Sequence, residues 1–175
     1  MARFARFGRI LDGVYLVAAW LAGGLLCLLC GLVIYSVVAR YVGAYAGGAS
    51  DVAGYVMATS SFMALAYGFR SGGHIRVVLA IQRLPLKGQR VMEVWCLAIM
   101  SAIAVFLAVY MARLVVDSLK WGTRSEGADA IALWIPQLPV AVGAGLFALA
   151  VLHTFVESIF VPAVAAERTR SAGEV

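Results

Sequence analysis

Few side chains in this sequence are of types that do chemistry, and most of them stand singly. Cys27 and Cys30 share the spacing of a dithiol redox site, Cys27-Leu-Leu-Cys30. Such a site works through a thiolate, which apolar surroundings strongly disfavour. The pair lies in the middle of an apolar run and Cys96 has no evident partner, so redox chemistry is the weaker reading. Haem ligation across a bundle needs histidines at matching depth on facing helices. His74 falls in a basic connection and His153 near the end of the last apolar run, which argues against haem. His153 reads instead as a hydrogen-bond donor in helix packing. Arg113 and Asp117 are one helical turn apart and could pair. Glu93 and Glu157 stand at the ends of apolar runs. No nucleophile–base pair and no metal-ligand spacing is present, and three cysteines cannot build a disulfide framework. Neither an enzyme nor a cofactor or metal is expected.

The elements that would position these residues are membrane spans. The 175 residues are 63% hydrophobic and only 13% charged, about half the charged share of a soluble domain. Four runs carry no charge: Gly13 to Ala39, Val52 to Phe69, Val94 to Ala112 and Ala130 to Val156. Roughly 20 apolar residues cross the hydrocarbon as a helix. The first run is longer than the apolar region of a signal peptide, so it reads as a retained span. The expected fold is an all-α integral membrane protein. It is a single membrane domain, residues 1–175, with four transmembrane helices at about 13–39, 52–69, 93–116 and 138–161.

Arginine and lysine set the orientation. Arg3, Arg6 and Arg9, the cluster Arg70, Arg76, Arg83, Lys87 and Arg90, and Arg168 and Arg170 all fall on one side. The other side has Arg40, Arg113, Lys120 and Arg124. The positive-inside rule then places both termini and residues 70–90 in the cytoplasm. The net charge of +5 points to anionic phospholipids as partners, and no aromatic-and-basic pattern suggests nucleic acid.

Residues 75–84 predict a short interfacial amphipathic helix between spans two and three. At about 100° per residue, Arg76, Arg83 and Lys87 fall in one stripe, with Val78 and Ile81 nearly opposite. Such a helix would be about 15 Å long, half the hydrocarbon thickness, and would lie flat with its cations toward phosphates. Gly72 and Gly73 open it and Leu84-Pro85 closes it. Arg76, Arg83, Lys87 and Arg90 are thus the candidate lipid-contacting residues.

At the other side, Ser50 or Asp51 could cap the second helix. The prolines of Trp134-Ile-Pro136-Gln-Leu-Pro139 predict a short interfacial segment before a last helix starting near Pro139, with Trp121 and Trp134 at headgroup level. Ala19, Gly23, Cys27 and Gly31 recur every four residues as a small-residue packing face. That face serves either packing within the bundle or docking against another membrane subunit. No acidic residue stands at mid-span and no inverted repeat is visible, so the chain lacks the parts of a self-sufficient transporter.

Taken together, "VVARYV" with Arg40, Ser50-Asp51, "AYGFRSGGHIRV" with Arg70, Gly73, His74 and Ile75, Leu84-Pro85, Arg90, Ser125, and "ALWIPQLPVAVGAGLFAL" with Pro136, Pro139 and Gly143 form a pattern. In their order and spacing on four spans, from about Leu11 to Val161, they resemble the small membrane subunit of tripartite ATP-independent periplasmic transporters. The resemblance implies structural roles for Arg40, Asp51, Arg70, Gly73, His74, Pro136 and Pro139. It also implies a heteromeric, sodium-coupled secondary transporter in the bacterial inner membrane. A large permease subunit would carry the substrate and sodium sites and move as an elevator. A periplasmic substrate-binding protein would deliver an organic acid such as a carboxylate. The small subunit would bind no substrate and would brace the large one. The alternative is a small membrane redox or cytochrome-type subunit using Cys27 and Cys30 or His153.

Overall fold

In the structure, a computed structural model, residues 2–44, 47–71, 86–126 and 130–160 are described. They form four helices: α1 (Ala2–Tyr41), α2 (Ala49–Arg70), α3 (Leu86–Trp121) and α4 (Trp134–Phe160). Each contains a segment long and apolar enough to cross a membrane: Leu11–Tyr41, Ala49–Arg70, Arg90–Trp121 and Trp134–Ile159. No strand occurs among the described residues; an isolated antiparallel bridge joins Arg124 to Ala132 between α3 and α4. The predicted interfacial helix at 75–84 lies outside the described residues, as do the two chain ends.

The helices run antiparallel. One end of the bundle, here the base, holds the start of α1 and the ends of α2 and α4. The other, here the top, holds Tyr41, Ala49, Trp121 and Trp134. α2 and α4 pack on each other at the centre, α1 lies on α2, and α3 lies on α4. Two apolar clusters flank the central pair. Tyr15, Ala66 and Ala150 meet on the α1 side. Ala104, Phe147, Ala148 and Val151 meet on the α3 side. Phe69 joins both clusters and meets Phe147 edge to face, their centroids 6.0 Å apart.

The core is built from small residues. Association in lipid has no hydrophobic drive between helices, so it relies on close approach and interhelical hydrogen bonds. On α1 the contact seam is Tyr15, Ala18, Ala22, Leu25, Leu29, Leu32, Ser36 and Ala39, buried or half-buried at alternating steps of three and four. The α3 seam of Leu97, Ser101, Ala104, Val115 and Ser118 follows the same rule. α2 meets α4 most closely at Gly143, where an added Cβ would fall 2.9 Å from Phe62 Cβ and 3.0 Å from backbone atoms of Phe62 and Met63. Large side chains such as Trp20, Leu28, Ile34, Trp95, Ile103 and Phe106 point outward, the reverse of a soluble bundle and the arrangement hydrocarbon surroundings allow.

Three expectations for the helix ends change. α2 starts at Ala49 and is capped by Gly48 with no side-chain cap bond. Asp51 N and Val52 N both donate to Gly48 O, at 2.9 and 3.0 Å. Ser50 and Asp51 therefore lie inside the first turn, where the Asp51 carboxylate complements the helix dipole. α4 starts at Trp134, not near Pro139. Pro136 falls in the first turn, whose N–H groups have no helical partner, so its missing donor costs nothing. Pro139 is then accommodated inside the helix, where only the bond to Ile135 is lost. Arg113 and Asp117 are both exposed and no ion pair joins them among the described residues.

At the top, α1 and α3 stop at glycines. Gly43 (φ 73°) and Gly122 (φ 59°) take the left-handed conformation. Ala44 N then donates to Ala39 O at 2.8 Å, and Thr123 N to Ser118 O at 3.2 Å. These are the closing bonds of helix ends finished by a left-handed glycine.

Candidate functional site

Charge enters the described bundle at the base, and three helices converge there on one guanidinium. Arg70, the last residue of α2, donates from Nε to Asp12 Oδ1 on α1 at 2.7 Å. From Nη1 it donates to Glu157 Oε2 on α4 at 3.0 Å. Its side chain is only 10% exposed, against 51% for Asp12. His153 Nε2 lies 3.7 Å from Glu157 Oε1, one turn back along α4. Directly inward lies Tyr15, fully buried, its hydroxyl without a partner among the described residues.

The chain builds this junction from local rules. Three of the four apolar runs end at the base with a residue of the junction that must leave the hydrocarbon: Asp12 before the first run, Arg70 after the second, Glu157 after the fourth. Antiparallel packing brings the three to one level. Charges at a membrane boundary are cheapest when paired, and one guanidinium can serve two carboxylates because its donors are fixed in a fork. Chemically the cluster binds helices to one another. It lacks a nucleophile, and no group of three or more His, Cys, Asp or Glu among the described residues could hold a metal ion.

Polar contacts also tie the top. Ser118 Oγ of α3 lies 2.7 Å from Gln137 Oε1 of α4. Tyr55 of α2 donates to Ser125 Oγ at 3.0 Å, pinning the α3–α4 connection. That connection is itself closed by Ser125 N to Ile131 O at 2.8 Å and Leu133 N to Thr123 O at 3.1 Å. In between, Thr59 and Thr154 bond carbonyls of their own helices, and Ser60 bonds across to Ala22 O of α1 at 3.0 Å.

The residues singled out in the sequence distribute as follows. Arg70 sits in the junction. Arg40 is exposed in the last turn of α1 and Asp51 is exposed in the first turn of α2. Pro136 and Pro139 lie in the first turns of α4. Arg90 is exposed on α3. Gly73, His74, Arg76 and Arg83 lie outside the described residues, as does the side chain of Lys87. Of the small-residue face, Ala19 is half-buried while Gly23, Cys27 and Gly31 are exposed; the bundle packs α1 through a different stripe. Cys27, Cys30 and Cys96 are free and exposed on helix surfaces. Asp12, Tyr15 and Ser60 were not singled out, and Glu157 was seen only as an end-of-span acid. The usable signal was three ionisable residues at the base ends of three antiparallel runs.

The family model described as tripartite ATP-independent periplasmic transporters, DctQ component, matches residues 29–161. The match covers α2, α3, α4 and the last third of α1. No curated protein and no solved structure matches the chain. Membership implies association with a large membrane subunit, DctM, and a binding protein, DctP. Four apolar helices, polar groups spent on tying them together, and a family match over most of the chain agree: the chain belongs to the DctQ component of the tripartite ATP-independent periplasmic transporters, the small membrane subunit of such a transporter.

Proposed function

We propose that the chain is a non-substrate-binding scaffold that braces the large, elevator-type permease subunit in the bacterial inner membrane. The transporter is sodium-coupled and takes up an organic acid such as a carboxylate, delivered by the periplasmic binding protein. Both termini face the cytoplasm, and the basic segment 70–90 meets anionic phospholipids. One observation carries the scaffold reading. Among the described residues, the charged side chains of α1, α2 and α4 lie within a turn of the span ends or beyond them, Arg113 and Asp117 of α3 stand exposed in its outer third, and Thr59, Ser60 and Thr154 spend their hydroxyls on helix carbonyls. A substrate or ion path needs polar or ionisable groups facing a cavity at mid-membrane. A brace needs none, and benefits from helices tied at both ends.

The test is reconstitution. Sodium-driven uptake is measured in proteoliposomes holding the large subunit with this chain, the large subunit alone, and this chain alone, each with the binding protein. The proposal expects uptake from the pair, little from the large subunit alone and none from this chain alone. Uptake by this chain alone, or substrate binding to it, overturns the reading. Cysteine labelling at the two chain ends from either side of sealed vesicles tests the topology; labelling from the outer side refutes it.

A further inference from the structure

α1 changes character at Ala22. Toward the base it is fastened in three ways. Asp12 accepts from Arg70 at 2.7 Å. Tyr15 is buried against Ala66 and Ala150. The Ala22 carbonyl accepts a buried hydrogen bond from Ser60 Oγ at 3.0 Å. Beyond Ala22 the seam thins: Leu25, Leu29, Leu32 and Ser36 are only half-buried, and the next buried residue is Ala39.

Gly23 and Gly24 follow at this transition. Both are exposed, and a Cβ on either would meet nothing within 4 Å. Close packing within the chain therefore does not require them. Glycine in a helix interior loosens it. A side chain bonded to a helix carbonyl competes with the ladder bond at that residue. Both weaknesses coincide at residues 22–24, directly after the last firm attachment.

We propose that α1 is a strap hinged at Ala22–Gly24. Its basal part, residues 12–22, is locked to α2 and α4. Its outer part, residues 25–41, swings relative to the rest of the bundle as a unit. The hinge belongs to the chain's own mechanics and stands whether or not the bundle braces a large subunit.

The test uses the full chain in lipid nanodiscs, with Cys27, Cys30 and Cys96 replaced by alanine and spin labels placed on exposed positions. A basal pair, Leu16 and Trp95, and an outer pair, Val37 and Val116, are compared by pulsed dipolar spectroscopy. The outer distance distribution is expected to be at least about twice as broad as the basal one. The double change Gly23→Ala and Gly24→Ala, sterically open at both sites, narrows the outer distribution and leaves the basal one unchanged. Arg70→Met broadens the basal distribution alone. Equal widths for the two pairs in the unchanged chain overturn the hinge, and so does an outer width that the double alanine leaves as it was. The comparison of the two pairs decides the matter even if the double variant does not assemble.

Discussion

Gly143→Ala probes the centre of the fold by adding one methyl group. That carbon would sit 2.9 Å from Phe62 Cβ and 3.0 Å from Met63 N and Phe62 C. Ordinary carbon contacts begin at about 3.5 Å. Two of the three obstructing atoms are backbone, so no rotamer change relieves the clash, and α2 and α4 must part locally by about 0.5–1 Å. Such overpacking costs about 1–3 kcal/mol. Alanine in place of glycine also favours the helix by about 1 kcal/mol, which would mask part of the loss. Gly145→Ala supplies the correction: it lies on the same helix, and a Cβ there meets nothing within 4 Å. The propensity gain cancels between the two variants. Gly143→Ala should therefore be less stable than Gly145→Ala by about 1–3 kcal/mol. At roughly 2–4 °C per kcal/mol for a chain of this size, that is a melting difference of several degrees. Thermal unfolding in nanodiscs, followed by size-exclusion recovery after heating, reads it directly. Equal melting temperatures, or a more stable Gly143→Ala, would show that α2 and α4 do not approach as described.

Arg70→Met leaves two carboxylates facing each other and should destabilise by about 2 kcal/mol, a buried-pair cost reduced because Asp12 is half exposed. Adding Asp12→Asn and Glu157→Gln should recover most of that loss; a triple variant as unstable as Arg70→Met would mean that packing, not charge, sets the cost. Gln137→Leu removes the partner of the buried Ser118 hydroxyl and should cost about 1 kcal/mol, seen as a lower melting temperature that Ser118→Ala in the same chain partly restores. Ala150→Leu inserts bulk at a residue with no exposed surface and should cost 1 kcal/mol or more, about the scale of core overpacking. Leu28→Ala, on an exposed site, should leave thermal stability unchanged. Charge reversal of Arg76, Arg83 and Lys87 together should impair reconstituted uptake while the binding protein still captures substrate; full uptake by an assembled complex would refute the lipid role.

Four spans were legible because composition alone forces them: runs this apolar have no other stable place than hydrocarbon. The helix seams were not legible in the same way. In a chain apolar on every side, hydropathy marks no buried face, and residue size becomes the informative property. Size pointed to Ala19, Gly23, Cys27 and Gly31. A strict step of four advances about 40° per step around a helix, so that stripe drifts about 120° from Ala19 to Gly31 and does not stay on α2. This leaves its exposed part, Gly23, Cys27 and Gly31, to the other reading, docking against another membrane subunit. The seam in the structure alternates steps of three and four from Tyr15 to Ala39, the average of 3.5 that keeps a face on its neighbour. The prolines of α4 misled for a related reason. Pro136 looks like a breaker until the helix start is placed two residues before it, where its missing N–H is no loss. The Arg70 junction was hidden by distance, since its partners lie 58 and 87 residues away.

The energetics of this bundle are therefore concentrated rather than spread. In a soluble core, many large side chains each contribute through burial, and losing one methylene anywhere is felt. Here most large side chains face outward, where lipid tails offer them contacts much like those of another helix. What holds α1 to α4 is a short series of particular contacts: the Arg70 fork, the Ser60 bond to Ala22, the close approach at Gly143 and the Ser118–Gln137 bond. Three of the four use polar atoms, and the fourth depends on a missing side chain. Sequence change on the outer surfaces should be nearly free in stability, while change at these few positions should not. A chain built this way is held together at a few positions and leaves most of its large apolar side chains facing outward. Its outward apolar faces are left to meet lipid or the other membrane subunit of the transporter.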